Sequence, residues 1–191
     1  MRGKQNMILI AMGGNLSGAW GPPQSTLERA AAELGLIFNG MTTKSSFFVT
    51  APVGSDRQPA YINAVLRIDA HVGPVRLLWT LQALERKAGR RSGVGRRWGA
   101  RALDLDVIDH GGRVYGWRVR GQRRNGDRPV NARRPTRRTK SLILPHPLAH
   151  LRSFVLVPLL EVAPHWVHPV LQVPGKTLLN RLPDRRFIRR T

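Results

Sequence analysis

Between residues 7 and 107 the apolar residues of this chain switch between period two and a helical period in an order that few folds accommodate: strand, helix, strand, strand, helix, strand. Met7 to Met12 is a short apolar run closed by Gly13-Gly14-Asn15, where glycine permits unusual backbone angles and an Asn side chain can fix a turn. After Gly21-Pro22-Pro23-Gln24-Ser25, the residues Leu27, Ala30, Ala31 and Leu34 recur at helical spacing, with Gly35 placed to end the helix. Met41 to Thr50, rich in Thr, Ser, Phe and Val, predicts a second strand. Tyr61 to Asp69, alternating through Ile62, Ala64, Leu66 and Ile68, predicts a third. Gly73-Pro74 opens a second helix on which Val75, Leu78, Leu81 and then Leu84 or Glu85 continue the period, and Gln82 and Glu85 share a face. A Gly/Arg-rich loop from Gly89 to Gly99 leads into a last strand around Leu103-Asp104-Leu105-Asp106-Val107.

This order predicts an α+β fold, a ferredoxin-like βαββαβ core whose antiparallel sheet carries its two helices on one face. Asp109-His110-Gly111-Gly112 should turn a hairpin, Ser141 to Pro164 regains apolar character that can rejoin the core, and the tail from Gly175 holds at most a short helix around Thr177 to Leu182. With 41% hydrophobic content the chain can bury one respectable core, so residues 1–191 are expected to form a single domain. Residues 113–140 stand apart: eleven Lys/Arg against one acid, Asp127, with Gly, Pro and Asn but little apolar periodicity, which predicts a flexible basic insertion. It supplies +10 of the formal net charge of +21, so the excess that would suggest nucleic acid is concentrated in one loop and nucleic acid is not expected as the partner. No apolar run approaches a membrane span and Met1 to Asn6 does not resemble a signal sequence, so a cytoplasmic protein without membrane contact is expected. Separately, a monomer is expected. The absence of cysteine removes thiolate nucleophiles and thiolate zinc sites, leaving oxygen, nitrogen or bound metal to do chemistry.

Asp104 and Asp106 carry the chemical signal. Side chains two apart on a strand share a face, with Cα atoms about 6.5 Å apart, so the two carboxylates can converge on one hard cation or bracket a pair. An isolated pair of this kind is ordinarily a solvated strand end. Here Arg90, Arg96, Arg97 and Arg101 crowd the adjoining loop, a neighbourhood suited to a polyphosphate bridged by magnesium.

Four blocks, in this order and spacing, make the chain resemble the 6-hydroxymethyl-7,8-dihydropterin pyrophosphokinase family of folate biosynthesis. They are Gly13-Gly14-Asn15-Leu16; Ser45 to Gly54 continuing through Gln58 to Ala64; Arg97 to Val107; and Leu144-Pro145-His146-Pro147 with Arg152 to Leu159 and Glu161 to Pro164. The resemblance implies transfer of the pyrophosphoryl group of ATP to the hydroxymethyl oxygen of the pterin, with AMP released. It implies that Asp104 and Asp106 hold two Mg²⁺ ions and that Arg90 and Arg101 act with them in catalysis. Arg152 and His146 match phosphate contacts, Gln82 and Glu85 match helix positions facing the nucleotide, and Trp98 matches a loop residue folding over ATP. Tyr61 and Phe154 match the two faces that sandwich the pterin, Asn63 its edge, and Thr50, Pro52 and Val53 the backbone completing its recognition.

Departures from the family pattern are Gly14 in place of the usual Ser, Ala100 in place of the usual Pro, and the basic insertion. Ser141 and Ile143 stand where a nucleotide-contacting Arg and Thr often occur, a role that Lys140 or an insertion Arg could take. Two other functions fit parts of the pattern: an RNA-binding ferredoxin-like module using the basic loop, and a catalytically inactive paralogue. The first lacks strand aromatics for base stacking, and the second is not indicated while both aspartates and both aromatics remain.

Overall fold

The computed structural model describes residues 7–52, 58–90, 99–117, 142–183 and 188–191. Of the basic insertion, residue 118 onward lies outside the described residues, as do Val53, Arg96, Arg97, Trp98, Lys140 and Ser141. The elements run β1 (Met7–Gly14), α1 (Pro23–Phe38), β2 (Met41–Lys44), β3 (Phe48–Thr50), β4 (Tyr61–Asp69), α2 (Pro74–Lys87), β5 (Asp104–His110), a 3-10 turn (Ala149–Leu151), α3 (Ser153–Val162), α4 (Gly175–Asn180) and β6 (Ile188–Arg190). The strands form one antiparallel sheet in the order β5-β1-β4-β3-β6, with β2 also paired to β4.

Two apolar layers cover this sheet. On one face Leu27, Ala30 and Leu34 of α1 and Leu77, Leu81 and Leu84 of α2 meet Ile10, Met12, Leu66, Leu105 and Val107. On the other, Val155, Leu156 and Leu159 of α3 and Leu178 of α4 meet Leu9, Val65 and Ile108. β4 therefore buries residues of both parities, whereas alternation alone assigned only Ile62, Ala64, Leu66 and Ile68 to a core. Burial of one Leu side chain is worth about 1.5–3 kcal/mol, and these two layers hold the sheet end that bears the site.

Local departures from the expected elements have identifiable causes. The strand expected over Met41 to Thr50 is broken, because from Lys44 to Phe48 the chain advances four residues while β4 retreats three, from Leu66 to Asn63. Ser45 makes this bulge stable: its N–H donates to the Val65 carbonyl and its hydroxyl oxygen accepts from the Val65 N–H, each at 2.9 Å. α1 passes through Gly35 and ends at Asn39, whose φ of 45° supplies the left-handed stop. Gly35 serves packing instead, since a Cβ there would lie 3.2 Å from Thr42 Cγ2. α2 buries Leu77, Leu81, Leu84 and Glu85 and leaves Val75 exposed. Steps of three residues from Val75 drift by about 60° each at 100° per residue, whereas the steps of four and three from Leu77 stay on one face. After β5 the chain turns at Gly111 and Gly112, and Tyr115 forms an isolated bridge with Leu144. The tail adds α4 and also β6, an edge strand on β3 that its short, basic sequence does not announce.

Candidate active site

β1 lies between β4 and β5, and its register brings the candidate residues together. Gly13 is opposite Asn63 on one side and Asp104 on the other; Ala11 is likewise between Val65 and Asp106. Ala11 and Gly13, which share one face of that strand, therefore lie beside the acidic pair, with Asn63 across from Gly13 on the other side, and a cleft of about 490 Å³ opens above them. A Cβ on Gly13 would lie 3.1 Å from Asn63 Oδ1, so glycine lets the amide lie flat over the strand.

Asp104, Asp106, Arg101, His146 and Arg152 line this cleft together with Thr50, Tyr61, Asn63 and Phe154. The last three strand residues named reach it from β3 and β4, while α3 begins at its rim and presents Phe154. Arg90, Gln82, Glu85 and Pro52 do not line it. Arg90 still reaches it through Asp104, whose Oδ1 accepts from Arg101 Nη1 at 2.6 Å and from Arg90 Nη1 at 3.0 Å. Val53 and Trp98 lie outside the described residues.

Charge here is balanced locally. Burial penalises the Arg101 cation, but the carboxylates of Asp104, Glu85 and Asp106 outweigh it and hold its pKa above the usual guanidinium range. Arg152 is the converse: burial lowers its pKa, although Asp106 and Asp104 pull it upward. Its guanidinium lies 5.6 Å from the Phe154 ring centroid, within cation–π range. His146 is held by its own N–H, which donates to the Ile108 carbonyl at 2.9 Å, and by the Leu148 N–H, which donates to Nδ1 at 3.2 Å. Nδ1 being an acceptor, the ring proton belongs on Nε2, 3.9 Å from Asp106 Oδ2. The Tyr61 hydroxyl donates to the Gly99 carbonyl at 3.1 Å, and burial raises its pKa, opposed by Arg101 and seconded by Asp104.

Asn15, which the sequence places in a turn and in the first of the four blocks without a site role, joins three loops, one of them carrying the cleft-lining Arg101. Its Oδ1 accepts from the Arg101 N–H at 2.8 Å, its Nδ2 donates to the Pro59 carbonyl at 3.0 Å, and its N–H donates to the Arg101 carbonyl at 2.9 Å. Gly14 makes this approach possible, since a Cβ there would lie 2.4 Å from the Ala102 carbonyl oxygen. The signal was the Gly13-Gly14-Asn15 triplet; its partners are more than forty residues away in sequence.

Comparison with known proteins gives a consistent picture. The family model for 7,8-dihydro-6-hydroxymethylpterin-pyrophosphokinase matches residues 9–164. The chain is 33% identical over 181 residues to the 2-amino-4-hydroxy-6-hydroxymethyldihydropteridine pyrophosphokinase of Haemophilus influenzae, covering 94% of this chain and 95% of that one. It is 34% identical over 171 residues to the enzyme of the same name from a Synechocystis species, covering 90% of this chain and 72% of the other. Among solved structures it resembles an HPPK-DHPS analysed in complex with substrates, with a TM-score of 0.62 at 12% identity, covering 92% of this chain and 43% of that larger one.

Proposed function

This chain belongs to the 7,8-dihydro-6-hydroxymethylpterin-pyrophosphokinase family, and we propose that the cleft floored by Ala11 and Gly13 is where its reaction takes place. The enzyme transfers the pyrophosphoryl group of ATP to 6-hydroxymethyl-7,8-dihydropterin in folate biosynthesis. The hydroxymethyl oxygen gives up its proton to solvent and forms a bond to the β-phosphorus, the bond from that phosphorus to the oxygen carried by the α-phosphate breaks, and AMP leaves with the electron pair. The observation that carries the site assignment is the convergence of Asp104, Asp106, Arg101, Arg152 and His146 in one cleft with Tyr61, Asn63 and Phe154.

Two cleft-facing carboxylates offer hard oxygen donors, which fits magnesium, and Asp104 and Asp106 would hold it as a pair of ions. When bound, the metal would neutralise the triphosphate and make the β-phosphorus more electrophilic. The guanidinium groups now on Asp104 are compatible with this: a polyphosphate offers Arg90 and Arg101 new partners and leaves the carboxylate oxygen for a cation. Arg90, Arg101 and Arg152 then hold the phosphates and compensate charge that develops on the leaving AMP, the principal task of protein groups in phosphoryl-type transfer. His146 presents its Nε2 proton to the same region. Gln82, and Trp98 outside the described residues, complete the nucleotide side.

On the pterin side Tyr61 and Phe154 supply flat faces, and Asn63 supplies one donor and one acceptor for a heterocycle edge that mixes both. Thr50, Pro52 and Val53 contribute backbone groups. The strand order β5-β1-β4-β3 with α1 and α2 on one face supports a ferredoxin-like core, and we read the chain as one domain acting as a cytoplasmic monomer. Among the described residues no helix is long and apolar enough to cross a membrane. RNA binding is not favoured, because a cleft bearing two carboxylates repels a phosphate backbone that arrives without metal.

The test is direct: protein, Mg²⁺, ATP and the hydroxymethyl dihydropterin are combined, and AMP and the pterin diphosphate are measured. Formation of ADP, or no nucleotide product, would overturn the assignment.

A further inference from the structure

Glu85 is only 3% exposed, and its carboxylate is turned beneath β5 instead of into the cleft. Its Oε1 accepts the Leu105 N–H at 2.9 Å and meets Arg90 Nη1 at 2.6 Å. β5 ends the described sheet on this side, so the Leu105 N–H points outward, away from β1, and Glu85 closes that edge between the two aspartates. A carboxylate this buried is strongly unfavourable unless paired and hydrogen-bonded, and here both requirements are met by groups of the site's own framework.

Local sequence explains why Arg90 arrives there. α2 ends in a Schellman motif: Gly89 has φ 107°, its N–H donates to the Arg86 carbonyl at 3.1 Å, and the Arg90 N–H donates to the Glu85 carbonyl at 3.0 Å. This turn ordinarily stacks two apolar side chains, one from the last helical turn and one from the residue after glycine. In this chain those two positions are Glu85 and Arg90, and an ion pair replaces the apolar contact. The Arg90 guanidinium continues to Asp104 Oδ1 at 3.0 Å, so buried helix, arginine and acidic pair form one chain of contacts.

We infer that Glu85 is a positioning residue, which holds β5 at Leu105 and fixes Arg90 over Asp104 so that the arginine is ready for phosphate, and that it does not itself touch the nucleotide. This deepens the functional reading above and rests on it.

The experiment uses the full chain in four forms: wild type, Glu85→Gln, Arg90→Ala and the double variant. Binding of Mg²⁺ with a non-hydrolysable methylene analogue of ATP is followed by calorimetry, without turnover, alongside hydrogen exchange at the Leu105 amide. Glu85→Gln keeps an acceptor for Leu105 and loses the charge on Arg90. It should weaken analogue binding about tenfold, the size of one charged hydrogen bond, with Leu105 protection unchanged. In the Arg90→Ala background the same substitution should change binding less than twofold. An equal loss with and without Arg90 would mean that Glu85 contacts the nucleotide itself, and wild-type binding by Glu85→Gln would also overturn the inference. Loss of Leu105 protection in Glu85→Gln would do so too, assigning the charge to the strand. Failure of the functional reading looks different: wild-type protein that yields no AMP.

Discussion

Asn63 donates its amide N–H to the Thr50 hydroxyl at 2.8 Å, and the rest of its amide lies over the bare Cα of Gly13. Both side chains are buried, so Thr50 contributes its hydroxyl as well as the backbone groups that family resemblance assigns to it. Thr50→Val preserves shape and removes the acceptor. The amide then loses its tether, and the KM for the pterin should rise about tenfold while kcat and the KM for ATP stay within about twofold, from a hydrogen bond worth about 1 kcal/mol plus an unsatisfied buried donor. Steady-state rates with each substrate varied in turn check this, and an equal change on the ATP side would show that the pockets are reversed.

Asp104 and Asp106 should be indispensable for turnover and dispensable for folding. Each is partly exposed at the cleft, and neither belongs to an apolar layer. Asp104→Ala or Asp106→Ala should lower AMP formation by at least about a thousandfold, the scale of losing a principal transition-state charge contact, with an unaltered circular dichroism spectrum. Near-normal rates in either variant would count decisively against the assignment.

Gly14→Ser should damage the protein although serine is the usual residue of the family at this position. The new Cβ would lie 2.4 Å from the Ala102 carbonyl oxygen, a backbone atom that cannot swing aside. Because Asn15 bonds both N–H and C=O of Arg101, displacing the segment that leads into β5 moves Arg101 as well. A fall of about 1–3 kcal/mol in unfolding free energy is expected, read from urea denaturation, together with a lower kcat.

His168 should make the fold acid-sensitive. It is fully buried, accepts the Val170 and Leu171 N–H groups on Nδ1 at 3.2 and 3.1 Å, and packs edge-on to His150, Trp117 and Trp166. Burial, helped by repulsion from His150, lowers its pKa from 6.5 to about 4. Between those values the unfolded chain takes up a proton that the folded chain refuses, so stability is complete above about pH 6.5 and is lost as pH falls toward 4. His168→Asn retains an acceptor but does not titrate. Its urea midpoint should be lower than wild type at neutral pH, from lost ring packing, and should change less between about pH 7 and pH 4.5. Parallel pH profiles for the two proteins would show that His168 is not responsible.

How much of this was legible before folding follows the range of the interactions concerned. The order of elements, the shared face of Asp104 and Asp106, and the proline starts of α1 and α2 are local matters of backbone angle and side-chain period, and the chain carries them within a few residues. The ordered blocks likewise brought most of the candidate residues onto one list, and the fold places most of the described ones around one cleft. Other features have no local cause. Ser45 breaks a strand only because Val65 lies opposite, and β6 is a strand only because β3 has an edge to offer.

Glu85 shows the division most clearly. Helical spacing put it on the same face as Gln82, which is correct as geometry, but spacing cannot say that this part of the face is covered by β5, or that the Leu105 N–H and Arg90 wait there to neutralise a carboxylate. By itself the sequence determined which elements form and in what order, since hydrophobic period and turn chemistry act between neighbours. Tertiary structure alone decided which polar side chains open into the cleft and which are sealed below it, because that depends on partners distant in sequence that excluded water when the layers closed.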